Sequence, residues 1–175
     1  MEIKDFVLGF IIPHETEYNP GGSVKVERSP SDHGNANGGC TKYGIDSASH
    51  PHIDVADLTL DGAVSIYLAE FSVSFAQNLL YPAQYAFFDI EVNSGPGRAA
   101  KCAQEAAGVT ADGVLGPISK AAIKAQRDQN NFTNKMLDSR IAFYRRLVDR
   151  DPTQQEYLEG WLNRTADLRQ FLKLT

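Results

Sequence analysis

The sequence predicts a mainly α-helical fold with a small β element near its front. Three observations carry that class. Apolar residues recur at three- and four-residue spacings in the first dozen positions and again through most of the chain after residue 59. Residues 19–52 between them are rich in Gly, Asn, Ser, Pro and Asp, with short strand-like pieces, "SVKVE" and "CTKYGI", set between turn signals. No internal repeat is present.

The first helix is expected over residues 2–12, where Ile3, Phe6, Val7, Phe10 and Ile11 share one face. Pro13 should end it, because proline cannot extend a helical hydrogen-bond ladder. The segment after it predicts a long loop holding a small hairpin, and a loop of that length in a compact domain is usually functional or disordered. Helical spacing returns after Thr59, with Leu60, Ala63, Val64, Tyr67, Leu68 and Phe71 aligned. Further helices are expected in "PAQYAFFDIEVN", "GPGRAAKCAQEAAG", "GPISKAAIKAQRDQ", "FTNKMLDSRIAFYRRLVD" and from about Thr153 to Leu172. Gly116 caps one of them and Pro117 takes its first position, where a missing N–H costs nothing. In the last helix Tyr157, Leu158, Trp161, Leu162, Leu168 and Phe171 form a stripe that reads as core packing.

The 175 residues suffice for one domain, or a domain with a compact subdomain. The division expected is 1–90 and 91–175, packed as one compact unit. Charge is uneven. Residues 1–90 hold 4 Lys and Arg against 12 Asp and Glu, net −8, whereas residues 91–175 hold 13 against 10, net +3. An acidic front half repels phosphates and argues against nucleic acid as partner. No apolar run approaches the roughly 20 residues that span a bilayer. The start, "MEIKDFVLGFII", lacks a basic leader and cleavage site, so no signal peptide is expected and any route out of the cytoplasm lies elsewhere. Cys40 and Cys102 match neither a disulfide framework nor a zinc pattern and read as reduced thiols.

Chemistry concentrates where the first helix ends. Glu15 stands at its carboxyl end, Asp32 lies in the polar loop, and Thr41 begins the hairpin piece. Two carboxylates and a hydroxyl converging on one cleft are the minimal apparatus for cutting a glycosidic bond. One protonated acid donates to the leaving oxygen, while the ionised one activates water or stabilises the cationic sugar.

The segments "HETEY", "GGCTKYGID" and "LTLDGAVSIYLAEF" resemble the front of glycoside hydrolase family 108. The stretch "FFDIEVNSGPGRAAKCAQEAAGVTADGVLGPISKAAI" resembles its accompanying peptidoglycan-binding segment, and "SRIAFYRRL" with "GWLNRTADL" its terminal helices. The resemblance spans nearly the whole chain. It implies a lysozyme-like fold and an N-acetylmuramidase of the endolysin type. Such an enzyme cuts the β-1,4 bond between N-acetylmuramic acid and N-acetylglucosamine, needs no cofactor and no metal, and works as a monomer on peptidoglycan strands in the periplasm or wall.

Position by position, Glu15 matches the family's glutamate and takes the general acid role. Thr16 and Glu17 stand where the family has two glycines, and Tyr18 matches its tyrosine. Thr41 matches the threonine that holds the attacking water. Tyr18, Glu17 and Tyr43 fall along the substrate, Tyr43 also shaping the hairpin. The family's aspartate, five residues before that threonine, is here Ala36. Aligning "SDHGNANGG" with an inserted turn gives the role to Asp32, the alternative being that Asp32 only shapes the turn. Glu17 would raise the pKa of Glu15 by like-charge repulsion, or would obstruct the cleft. The rival reading is a non-catalytic peptidoglycan-binding protein that keeps the fold.

Two other signals have plainer readings. "HPHID" alternates His50, His52 and Asp54 as strand ligands would, but too few further histidines are near, and a solvated loop is expected. Asp112-Gly113 reads as a turn before a helix, with a weak wall-binding role for residues 91–130 left open.

Overall fold

The opening helical run passes through Pro13 instead of stopping there. In the computed structural model, which describes residues 1–17, 19, 21–29 and 39–174, α1 (Ile3–Phe6) leads into a π-helical turn (Val7–Ile11) and then α2 (Ile12–Glu15). Pro13 has no N–H to offer Gly9, and its ring would press on that carbonyl in an ordinary α-turn. The turn before it widens, so the Ile12 amide bonds back to the Val7 carbonyl five residues earlier. The helix therefore continues three residues beyond its expected end, and Glu15 is its last residue. Phe6, Val7, Phe10, Ile11 and Ile12 are buried along it.

A three-stranded antiparallel sheet follows, in the order β1 (Glu27–Ser29), β2 (Gly39–Lys42), β3 (Ile45–Asp46). Thr41 is the partner of Glu27 on one side and of Asp46 on the other. Lys42 pairs with Ile45, so Tyr43 and Gly44 alone make the turn. Their φ angles of 56° and 76° are the left-handed pair that a two-residue hairpin of the twisted type demands.

The remainder is helical: α3 (Leu60–Val73), α4 (Ala83–Ser94), α5 (Pro96–Ala107), α6 (Pro117–Lys124), α7 (Gln129–Arg150) and α8 (Gln155–Phe171), with short 3₁₀ turns at Phe75–Asn78 and Pro152–Gln154. Helix makes up 65% of the described residues and strand 6%, which places the protein in the mainly α class with a small sheet after the first helix. The chain divides into two compact units, Met1–Ser72 and Val73–Thr175.

In the second unit α4 is buried on nearly every side from Tyr85 to Ile90, and α5 meets its neighbours through Ala99, Ala100, Cys102 and Ala103. Small side chains let helix backbones approach closely. At the centre lies Asp89, fully buried. Arg140 of α7 donates to it at 2.6 Å and Arg164 of α8 at 2.7 Å. Arg140 also donates to Tyr144 at 2.6 Å and to Asn93 at 3.1 Å, and the Tyr144 hydroxyl donates to Asn93 at 2.6 Å. Burial pushes the Asp89 carboxyl up, yet the two guanidinium groups outweigh it and hold it below the usual carboxylate range. Buried Gln104 fixes the turn between α5 and α6. Its amide nitrogen donates to Asp112, to the Val114 carbonyl and to Ser119, and its oxygen accepts from the Gly113 amide.

The expected core stripe of α8 is a correction. Of its six residues only Leu168 is buried; Tyr157 is 52% exposed, and Leu158, Trp161, Leu162 and Phe171 are half-buried. Trp161 stacks on buried Tyr144 at 4.9 Å, so the apolar spacing serves one-sided packing on α7.

Candidate active site

The end of the first helical run and the sheet together line a cleft of about 210 Å³. The helix end supplies His14 and Glu15. Glu17 and Lys25 come from the loop, and Glu27, Thr41, Lys42, Tyr43 and Gly44 from the sheet. His14 is held by a 2.9 Å contact from Nδ1 to the Phe10 carbonyl, which accepts, and by stacking on the Phe10 ring at 4.2 Å. That bond fixes the ring beside Glu15 and leaves Nε2 as the acceptor in the neutral form.

Gly44 is where the sheet meets the glutamate. A Cβ built there would lie 2.7 Å from Glu15 Cβ, 2.9 Å from Glu15 Oε2 and 2.6 Å from the Tyr67 hydroxyl. No side chain fits. The Tyr67 hydroxyl in turn donates to the Tyr43 carbonyl at 2.8 Å, so a buried residue of α3 anchors the turn that presses on Glu15. Gly44→Ala combines this clash with an unfavourable positive φ, costing about 1–3 kcal/mol. It is expected to lower turnover by roughly tenfold or more, since small displacements of a catalytic group cost that much. Turnover within twofold of the parent protein would show that the contact does not position Glu15.

Glu17 does not stand as a lone charge beside Glu15. The loop folds back on itself, with the Lys25 amide donating to the Glu17 carbonyl at 2.7 Å. That brings Lys25 Nζ to 2.6 Å from the Glu17 carboxylate and 3.6 Å from that of Glu27. The hydrogen bond from Lys25, with its charge, holds the Glu17 carboxyl below the usual range. The repulsion expected from Glu17 is thus offset by an ammonium in the same cleft.

Of the residues assigned from sequence, Glu15, Glu17, Thr41 and Tyr43 meet in this cleft. Asp32 and Tyr18 lie outside the described residues. Lys25, Glu27, Gly44 and Tyr67 were not singled out as site residues. For the first pair a signal existed, because "VKVE" alternates apolar and charged residues and so turns Lys25 and Glu27 to one side. His50 of the "HPHID" loop lies 3.1 Å from the Asp46 carbonyl and 3.5 Å from Glu70. Among the described residues no group of three His, Cys, Asp or Glu side chains is placed to hold a metal.

A mainly α chain with a small sheet and a glutamate at the end of its first helix has a lysozyme-like fold. Residues 21–95 match glycosyl hydrolase family 108, and residues 98–166 match the predicted peptidoglycan domain. The front segment is thus similar to that hydrolase family, and the chain is a lysozyme-like protein that acts on peptidoglycan. The first match starts at Gly21, beyond Glu15. The solved structure of Brucella abortus SagA superposes with a TM-score of 0.69 at 23% identity, over 97% of this chain and 93% of that one, and so shares the fold. No curated protein matches the sequence. Among the described residues no helix is long and apolar enough to cross a membrane.

Proposed function

We propose that the protein is an N-acetylmuramidase that cuts the β-1,4 bond between N-acetylmuramic acid and N-acetylglucosamine. The carrying observation is the placement of Glu15 at a helix end, inside a cleft walled by Thr41 and the Tyr43-Gly44 turn. Glu15 donates a proton to the glycosidic oxygen. Thr41 holds the attacking water, and Asp32 supplies negative charge to the cationic sugar. Tyr18, Glu17 and Tyr43 contact the glycan. Residues 1–90 carry the chemistry and residues 91–175 hold the wall, the whole acting as a monomer in the periplasm or cell wall. The test is release of soluble glycan fragments from purified sacculi. Binding to sacculi without release would support the non-catalytic alternative.

The charges around Glu15 set the expected pH response. Glu17→Gln removes the nearer of the two carboxylates beside the Lys25 ammonium, which favours ionised Glu15 and moves the alkaline limb of the pH–activity profile down. Lys25→Met leaves the carboxylates uncompensated and moves that limb up. Both shifts shrink as salt is added, because the groups are exposed. Limbs that move in the same direction in the two variants would contradict this electrostatic account.

A further inference from the structure

We infer that Glu27 is a second catalytic carboxylate of the cleft, the base that takes a proton from the attacking water. This rests on the reading of the cleft as a glycoside hydrolase site. Glu27 of β1 is the direct antiparallel partner of Thr41 of β2. Such partners project from the same face with Cβ atoms about 4.5–5.5 Å apart, so hydroxyl and carboxylate can hold one water between them. Both line the cleft that Glu15 enters from the helix end.

Inversion requires an acid and a base about 6.5–9.5 Å apart with a water between, and here the helix end and the sheet bring one carboxylate each to the same cleft. Glu17 is less suited to the part. It follows Glu15 by two residues and is tied to Lys25 at 2.6 Å, while Glu27 keeps a looser 3.6 Å contact to the same ammonium. The Glu27 side chain is 49% exposed, open to the water it would deprotonate.

The step balances. The Glu15 proton passes to the glycosidic oxygen as the bond from that oxygen to the anomeric carbon breaks. Water oxygen bonds to the anomeric carbon and its proton passes to Glu27. Glu15 ends ionised and Glu27 protonated, and exchange with solvent restores both. Asp32 keeps the charge-stabilising part.

The test compares the full-length protein with Glu27→Gln, Glu27→Ala and Asp32→Ala on purified sacculi, with and without sodium azide. Glu27→Gln is expected to lower turnover by roughly 100-fold or more with an unchanged melting temperature. Azide, which needs no base, is expected to restore turnover to Glu27→Ala and to leave a glycosyl azide product. It should not rescue Asp32→Ala. Glu27→Gln turnover above a tenth of the parent, or rescue of Asp32→Ala but not of Glu27→Ala, would overturn the assignment while leaving the hydrolase reading intact. Absence of sugar release by the unsubstituted protein would instead overturn the hydrolase reading itself.

Discussion

Glu15→Gln is expected to abolish glycan release while leaving the far-UV dichroism and melting temperature nearly unchanged. The amide keeps the size and shape that the Tyr43-Gly44 turn packs against, with a Cβ-sized gap already too small at Gly44. Only the transferable proton is lost, and such catalysis is worth roughly 10²–10⁴-fold. The fold explains how this carboxyl reaches the cleft. Pro13 forces the preceding turn to widen, and the extra residue in that turn rotates the last helical residues relative to an unbroken α-helix. Thr16 then leaves the helix in extended conformation, so Glu15 ends the run at the cleft. Activity above about a tenth of the parent in Glu15→Gln would move the acid role to another residue.

The largest effect on stability is expected at Asp89, outside the cleft. Asp89→Ala leaves the Arg140 and Arg164 guanidinium groups in the core without their counter-ion. Breaking a buried charge group in this way costs about 3–5 kcal/mol, a large share of a domain's stability. Urea unfolding of the variant should show a much lower midpoint. Because the folded carboxyl is held below its unfolded value, its contribution is complete above the unfolded pKa, near about 4, and is lost as pH falls through the folded one. Acid unfolding of the native protein should therefore steepen below about pH 4, and Asp89→Asn should flatten that limb. A midpoint for Asp89→Ala equal to the native one would contradict the role assigned to the network.

Much of this was legible from residue order, and the misses have physical reasons. The apolar spacing located the helices; "CTKYGI" read as one strand-like piece of a hairpin, whereas the turn itself falls inside it at Tyr43-Gly44, where Gly tolerates the positive φ such a turn needs. Glu15 was placed near its cleft by the end of the first apolar run. The end itself was misjudged, since a proline is accommodated by a π turn as well as by a stop. Lys25 and Glu27 lay unremarked in the strand-like piece "SVKVE", and only the register sets Glu27 against Thr41. Asp89, Arg140 and Arg164 were invisible as a group. They lie 51 and 75 residues apart in sequence, and isolated charges in a helix read as solvated faces. The α8 stripe misled in the opposite direction, because apolar periodicity does not distinguish a fully buried face from one half-covered by a neighbouring helix.

The central claim is the bond that is cut, and the most direct measurement is the identity of the new reducing end. Purified sacculi digested with the protein, reduced with borohydride and resolved by mass spectrometry should yield fragments ending in reduced N-acetylmuramic acid, with none from Glu15→Gln. Fragments ending in reduced N-acetylglucosamine, fragments ending in the anhydro form of N-acetylmuramic acid, or no fragments at all would contradict it.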